Sequence, residues 1–273
     1  MARGESVERV RSYYERILPF YELEAISRSH LSFWTGVARR WRARRILEVG
    51  AGLGRITEAL ARHAPAVGID VSLEMLARAA SRRRPASRAS FVAADMRRFA
   101  FRERFDLVVA PGDPFSHLTS IADRRRALRA VARHLARDGR FVLEGLYRRR
   151  QATERAPRTI RHRGGSLRIE EAWYPVGSQD RWHARYRYSD FVEGRPATTL
   201  SASFEARAWN PKTLRSVFRS CGLRVEEMWG DFDGRPFSSG ASRLVVVARR
   251  LSGGSAASPR APSNSRRRAR SSR

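Results

Sequence analysis

The sequence predicts an α/β fold: a doubly wound, seven-stranded, Rossmann-like sheet with a small antiparallel β insert after its fifth strand. Three observations carry the prediction. Short apolar runs alternate with helical stretches up to Leu146. Those runs are continuously apolar, as suits strands covered on both faces of a parallel sheet. After Leu146 the pattern switches to alternating apolar and polar residues, the mark of antiparallel strands with one half-buried face.

The elements follow in order. Val7–Leu18 and Leu23–Trp41 have helical spacing and are expected to break at Pro19, which lacks the N–H that a helix interior needs. Arg45–Val49, Ala66–Asp70, Ser90–Ala94, Phe105–Ala110 and Arg140–Leu146 are the first five strands. Between them, Arg55–His63, Leu73–Arg83 and Ile121–Arg137 are helices. The last of these carries Ile121, Leu128, Val131 and Leu135 on one face and stops at Asp138-Gly139. Ser166–Tyr174, Arg181–Phe191 and Thr198–Trp209 form a three-stranded insert, punctuated by Pro175-Val176-Gly177 and Gly194-Arg195-Pro196. Asn210-Pro211 then opens a helix through Ser220, and Leu223–Trp229 and Leu244–Ala248 complete the main sheet. Residues 252–273 are Ser, Gly, Pro, Ala, Asn and Arg without apolar period, a composition expected to stay disordered.

Composition narrows the function classes. Lys+Arg of 55 against Asp+Glu of 27 gives +28 over 273 residues, a charge that raises nucleic acid or an anionic membrane as partners. Lys212 is the only lysine, however, so the basicity is arginine, as a GC-biased genome produces. The single cysteine, Cys221, excludes an internal disulfide and a cysteine-based zinc site. No apolar run approaches the ~20 residues of a membrane span, and Met1–Val10 lacks a signal-peptide core. A soluble, cytoplasmic protein without a membrane partner is expected; nothing in the sequence points to an oligomeric state.

The sharpest motif is Ile46-Leu47-Glu48-Val49-Gly50-Ala51-Gly52-Leu53-Gly54-Arg55-Ile56-Thr57, a strand feeding a glycine turn that opens a helix. Glycines permit positive φ and close backbone approach to a ligand, and helix N-terminal amides face it. Asp70 ends the second strand, where a carboxylate can accept both hydroxyls of a ribose. Asp95 follows the third strand, within reach of an adenine amino group. Read singly, these are also an ordinary βα turn and two helix N-caps, and an NAD-type oxidoreductase shares the glycines.

In order and spacing, the set resembles the class I S-adenosylmethionine-dependent methyltransferases, across Arg44–Leu146 and the last two strands. The resemblance implies S-adenosylmethionine as cofactor. Gly50, Gly52 and Gly54 would line its methionine side, with Ala51 as a cofactor contact in the same turn and Glu48 orienting that loop. Asp70 would hold the ribose, Asp95 and Met96 would flank the adenine, Pro111 would sit by the methionine portion, and Val71 would be a further cofactor contact. It also implies a division into a helical lid (1–43), a cofactor-binding core (44–150), an acceptor-side β insert (151–209), a completion of the core sheet (210–250) and a basic tail (251–273).

Ligands sit outside the carboxyl ends of parallel strands, so the acceptor side should use the loop after the fourth strand, Ala110–Leu118. His117 is its natural base, and Asp113, between Gly112 and Pro114, reads as a turn former. Tyr14 and Tyr21, in an aromatic N-terminal helix, would line the methyl-transfer pocket as in similar enzymes, Tyr14 on the catalytic side and Tyr21 on the cofactor side. Arg28 is a candidate partner for the methionine carboxylate, and Trp173, Tyr186 and Tyr188 are aromatic candidates for the acceptor pocket. The insert looks like that of the glycine and amino-sugar N-methyltransferases, which implies a small-molecule amine or hydroxyl acceptor. Methylation of a nucleic acid is the alternative: +28 favours it, whereas the loop lacks an Asn/Asp-Pro-Pro-aromatic pattern and a Pro-Cys nucleophile.

Overall fold

A computed structural model describes residues 5–28, 30–147, 152–177, 180–241 and 243–251. Two sheets organise them. The first contains β1 (Ile46–Val49), β2 (Ala66–Asp70), β3 (Ala89–Ala93), β4 (Phe105–Ala110), β5 (Leu135–Gly145), β10 (Leu223–Trp229) and β11 (Leu244–Arg250). Their order is β10-β11-β5-β4-β1-β2-β3, parallel apart from β11, which runs against both neighbours. Strand order reverses between β1 and β4, which opens a crevice at their carboxyl ends. The central apolar runs are buried on both faces: β1 is buried throughout, and Leu107–Ala110 are 0% exposed, whereas the edge strand β3 is largely exposed beyond Ala89, with Val92 39% exposed.

Helices α3 (Arg55–Leu60), α4 (Leu73–Ser81), α5 (Ile121–His134) and α6 (Pro211–Arg219) connect these strands. The Ser72 hydroxyl caps α4 and the Asn210 side chain caps α6, each accepting a backbone N–H. Helix α5 ends three residues before its predicted limit. Leu135 is drawn into the ladder opposite Phe105, so β5 begins there and passes through Asp138-Gly139.

The insert is a four-stranded antiparallel sheet, β6 (Thr153–His162), β7 (Gly165–Pro175), β8 (Arg181–Val192) and β9 (Arg195–Arg207), one strand more than predicted. Strand β6 is an edge strand with mostly exposed side chains, so it shows no apolar alternation. Its Pro157 falls where the register shifts between Arg155 and Arg158, a position at which a proline costs no ladder bond.

The N-terminus also differs from expectation. Helix α1 (Glu5–Arg28) runs through Pro19, and α2 (Leu31–Arg40) starts after the left-handed His30. Pro19 gives up one backbone bond, but Ile17, Leu18 and Phe20 around it are buried, and that burial outweighs the loss. Ile17 and Phe20 pack on the inner face of the insert sheet, while Leu18 packs with Leu53 and Met75 of the core. Helix α1 therefore bridges the two sheets. No described helix is long and apolar enough to cross a membrane. The predicted tail lies outside the described residues.

Candidate active site

The turn after β1 is built by its glycines. Gly50, Gly52 and Gly54 have φ of +77°, +51° and +69°. A Cβ on Gly50 would meet Pro114 at 2.6 Å, and one on Gly54 would meet the Phe91 ring at 2.5 Å. Both backbone conformation and close approach thus demand glycine. The Gly50 and Ala51 N–H groups donate to the Ile69 carbonyl, each at 2.9 Å, which docks the turn on β2. Glu48 lies behind the turn, buried, and accepts a hydrogen bond from the Thr57 hydroxyl of α3. Burial pushes its carboxyl up to about 8.

In front of the turn is a cavity at the carboxyl ends of β1, β2 and β4. Gly50, Gly52, Asp70, Val71, Asp95, Met96 and Pro111 line it from the core, and Tyr14 and Tyr21 line it from α1. His117 lines it from the loop after β4. Three predicted residues do not line it. Glu48, Ala51 and Gly54 support the turn from behind.

Asp70 accepts N–H bonds from Gly52 at 2.8 Å and Ser72 at 2.9 Å, and burial still raises its carboxyl above the ordinary value. Asp95 is engaged differently from expectation. Burial alone would raise it, but hydrogen bonds from Arg97 and that residue's charge bring it below the ordinary range. The Arg97 guanidinium grips both Asp95 oxygens at 2.7–3.0 Å and reaches Asp123 at 3.1 Å. Sequence reasoning missed Arg97, as it missed Val7 and Val10, which also line the cavity. The signal for the valines was present: Val7, Val10, Tyr14 and Tyr21 recur on one face of a helix, provided α1 is read through Pro19.

His117 ends a 3-10 turn, Pro114–His117, that starts from Asp113 at φ +63°. The Ser116 hydroxyl donates to the Asp113 carbonyl at 2.8 Å and tightens it. Asp113 is the turn former expected, and burial pushes its carboxyl up to about 8. The His117 Nε2 lies 2.8 Å from the Tyr14 hydroxyl, and its ring packs on Phe204 of β9 at 4.8 Å. Burial pushes the imidazole down to about 4, so it is neutral at physiological pH.

A second cavity, about 990 Å³, extends from His117 between α1 and the insert sheet. Tyr13, Arg9, Arg155, Glu171, Tyr186 and Phe204 are among its walls, and His117 and Val10 line both cavities. Of the three predicted acceptor aromatics only Tyr186 lines it. Trp173 and Tyr188 are 5% and 1% exposed and belong to the core of the insert, Trp173 donating to Glu171 and Tyr188 stacking on Phe20. The side chain of Arg28 lies outside the described residues.

The first cavity suits a nucleoside with a charged tail. It offers a carboxylate for paired hydroxyls, glycine backbone for close approach, and Ile69, Met75, Met96 and Leu118 as apolar walls. Comparisons with known proteins agree. Residues 46–139 match the family model of a methyltransferase domain. The chain is 28% identical over 232 residues to the cypemycin N-terminal methyltransferase of a Streptomyces species, covering 80% of this chain and 87% of that one. Its fold is similar to the S-adenosylmethionine-bound amino pentose methyltransferase of Micromonospora echinaspora involved in calicheamicin biosynthesis. There the TM-score is 0.66 at 24% identity, over 80% of this chain and 90% of that one. A sugar N-methyltransferase from a Streptoalloteichus species matches with a TM-score of 0.67 at 22% identity, over 85% and 93% of the two chains.

Proposed function

The chain is a class I S-adenosylmethionine-dependent methyltransferase, and from that premise we propose that it methylates an amine of a small acceptor held in the second cavity. The observation that carries the reading is His117, among the described residues the one polar side chain that lines both cavities. Relatives named for an N-terminal amine and for sugar amines support an amine over a hydroxyl.

When bound, S-adenosylmethionine supplies a methyl group activated by its sulfonium. The residues of this chain do the rest. Asp70 takes the ribose hydroxyls, Gly50, Gly52 and Pro111 the methionine side, and Val71, Asp95 and Met96 the adenosine. Glu48, Ala51 and Gly54 hold the turn. Val7, Val10, Tyr14 and Tyr21 make α1 the lid that keeps water from the sulfonium, and the insert forms the acceptor side.

His117 and Tyr14 handle the acceptor. The His117 Nδ1 is buried with no partner among the described residues, which leaves it to meet the acceptor nitrogen. With its Nε2–H donated to the Tyr14 oxygen, the Nδ1 lone pair accepts an N–H from the amine and aims the nitrogen at the methyl carbon. The same lone pair receives the proton shed after the C–N bond forms. A base lowered to about 4 is weak, so orientation outweighs proton removal. His117→Ala should therefore reduce turnover by about 10²-fold, the lower end for a proton-transfer group. Affinity for S-adenosylhomocysteine, measured by calorimetry, should stay near wild type. Unchanged turnover in His117→Ala would remove the residue from the reaction.

A further inference from the structure

Behind the loop that carries His117, two arginines cross between that loop and the end of β9. Arg124 on α5 is 1% exposed. Its guanidinium donates to three main-chain carbonyls: Leu118 at 3.0 Å, Ala208 at 3.0 Å, and Arg207. Its Cζ lies over the Trp209 ring, 4.3 Å from the centroid. Arg207 answers from the other side, donating to the Thr119 carbonyl at 2.9 Å and to Asp180 at 2.6 Å. The two carbonyls that follow His117 are thus each held by an arginine fixed at residues 207–208 or belonging to them.

Burying a guanidinium against neutral carbonyls is a costly way to join two segments, and apolar side chains of similar volume would fill the space as well. What the arginine adds is position. Its planar fork presents several donors in one plane, so three oxygens from two segments are set in one geometry. Phe204, three residues before Arg207 on the same strand, is the residue on which the His117 ring rests. Fixing the end of β9 to the loop fixes both sides of that contact.

We infer that Arg124, with Arg207, is a positioning residue of the methyl-transfer reaction: it sets His117 against the acceptor sheet at the junction of the two cavities. This rests on the role of His117 proposed above. Burial pushes the Arg124 guanidinium down to about 10, so it keeps its charge at neutral pH. Neither arginine lines either cavity, so their effect on turnover must pass through the loop.

Two variants of the full chain test this. Arg124→Lys keeps the charge but loses the fork; Arg207→Met keeps the bulk but loses the donors. The readout is the titration of His117 in ¹⁵N-histidine-labelled protein, its signal identified by its absence in His117→Gln. In the wild type that signal should not move between about pH 5 and pH 7.5. In both variants the midpoint should rise by about one unit or more, toward the free-histidine value near ~6.5, as water reaches the ring. S-adenosylhomocysteine affinity should stay within about twofold, a change of well under 1 kcal/mol. Wild-type titration in both variants, with that affinity retained, would overturn the inference. Loss of folding in both would overturn it too, by making the pair structural glue. The readout needs no methyl acceptor. Should His117→Ala leave turnover intact while these variants shift the titration, the clamp stands and the catalytic reading falls.

Discussion

His117 holds its lone pair across the physiological range because burial takes its pKa down to about 4. The sign of the resulting pH dependence is definite. In the role proposed, neutral histidine is the active form and charging it requires pH near 4, so turnover with saturating substrates should show no acid limb at the ordinary histidine value of ~6.5. An acid limb at that value, abolished in His117→Gln, would show that the ring is solvated in the working enzyme. Glu48 behaves oppositely. Its folded-state value of about 8 lies above the unfolded value of 4.5, so the folded state binds the extra proton. Stability from this group is complete below 4.5 and is lost as pH rises toward 8. Glu48→Gln keeps an acceptor for Thr57 and removes the titration, so urea unfolding should depend less on pH between those limits. Asp113, raised likewise, leaves part of the slope in place. Asp70→Ala should weaken S-adenosylhomocysteine binding by about 1–3 kcal/mol, the loss of charge-assisted bonds to hydroxyls; calorimetry reads it directly, and wild-type affinity would remove Asp70 from the cofactor site. Asp70, Asp95 and the glycines were legible because each sits at a fixed place after an apolar run. Arg97 and Arg124 were not, since among so many arginines sequence alone gives no sign of which ones are buried against carboxylates or carbonyls.

At the scale of elements, α1 and β6 are where local rules misled. Pro19 reads as a helix stop because it lacks an N–H, yet burial of Ile17, Leu18 and Phe20 on two different surfaces holds the helix through it. Strand β6 leaves no apolar signature because it is an exposed edge. The central strands β1 and β4, buried on both faces, were legible to within a few residues for the opposite reason. Helix α1 also carries a prediction. Its Glu22 pairs with Arg78 and Arg82 of the α4 segment, both at 2.9 Å, and so ties α1, the lid of the proposed function, to the main sheet's α4. Partly exposed ion pairs contribute about 0.2–1 kcal/mol each. Glu22→Gln should therefore speed S-adenosylhomocysteine release by a few-fold, measured by stopped flow, with little change in the association rate. Release at the wild-type rate would mean that closure of α1 does not limit escape of the cofactor.

At the scale of the whole molecule, the site and the surface point to different acceptors. Two cavities meeting at a half-buried histidine suit the small acceptor proposed, whereas +28 describes a chain attracted to polyanions. Many arginines are engaged internally, pairing with Glu22, Glu24, Asp95, Asp123, Glu144, Asp180 and Glu226 or donating to carbonyls as Arg124 does, but the +28 is already net of every carboxylate and those pairs do not reduce it. The second cavity itself is mixed, with Glu8, Glu154, Glu171 and Glu205 set among its arginines, which suits a compact polar acceptor better than a phosphate backbone. Competition for label decides between them most directly. The protein is given S-adenosylmethionine carrying a labelled methyl group, together with amino sugars, short peptides with free N-termini, their N-acetylated counterparts, and RNA and DNA oligonucleotides. Label is predicted on the free amines, absent from the N-acetylated compounds and the nucleic acids, and reduced in His117→Ala. Label on RNA or DNA, with none on any amine, would contradict the account.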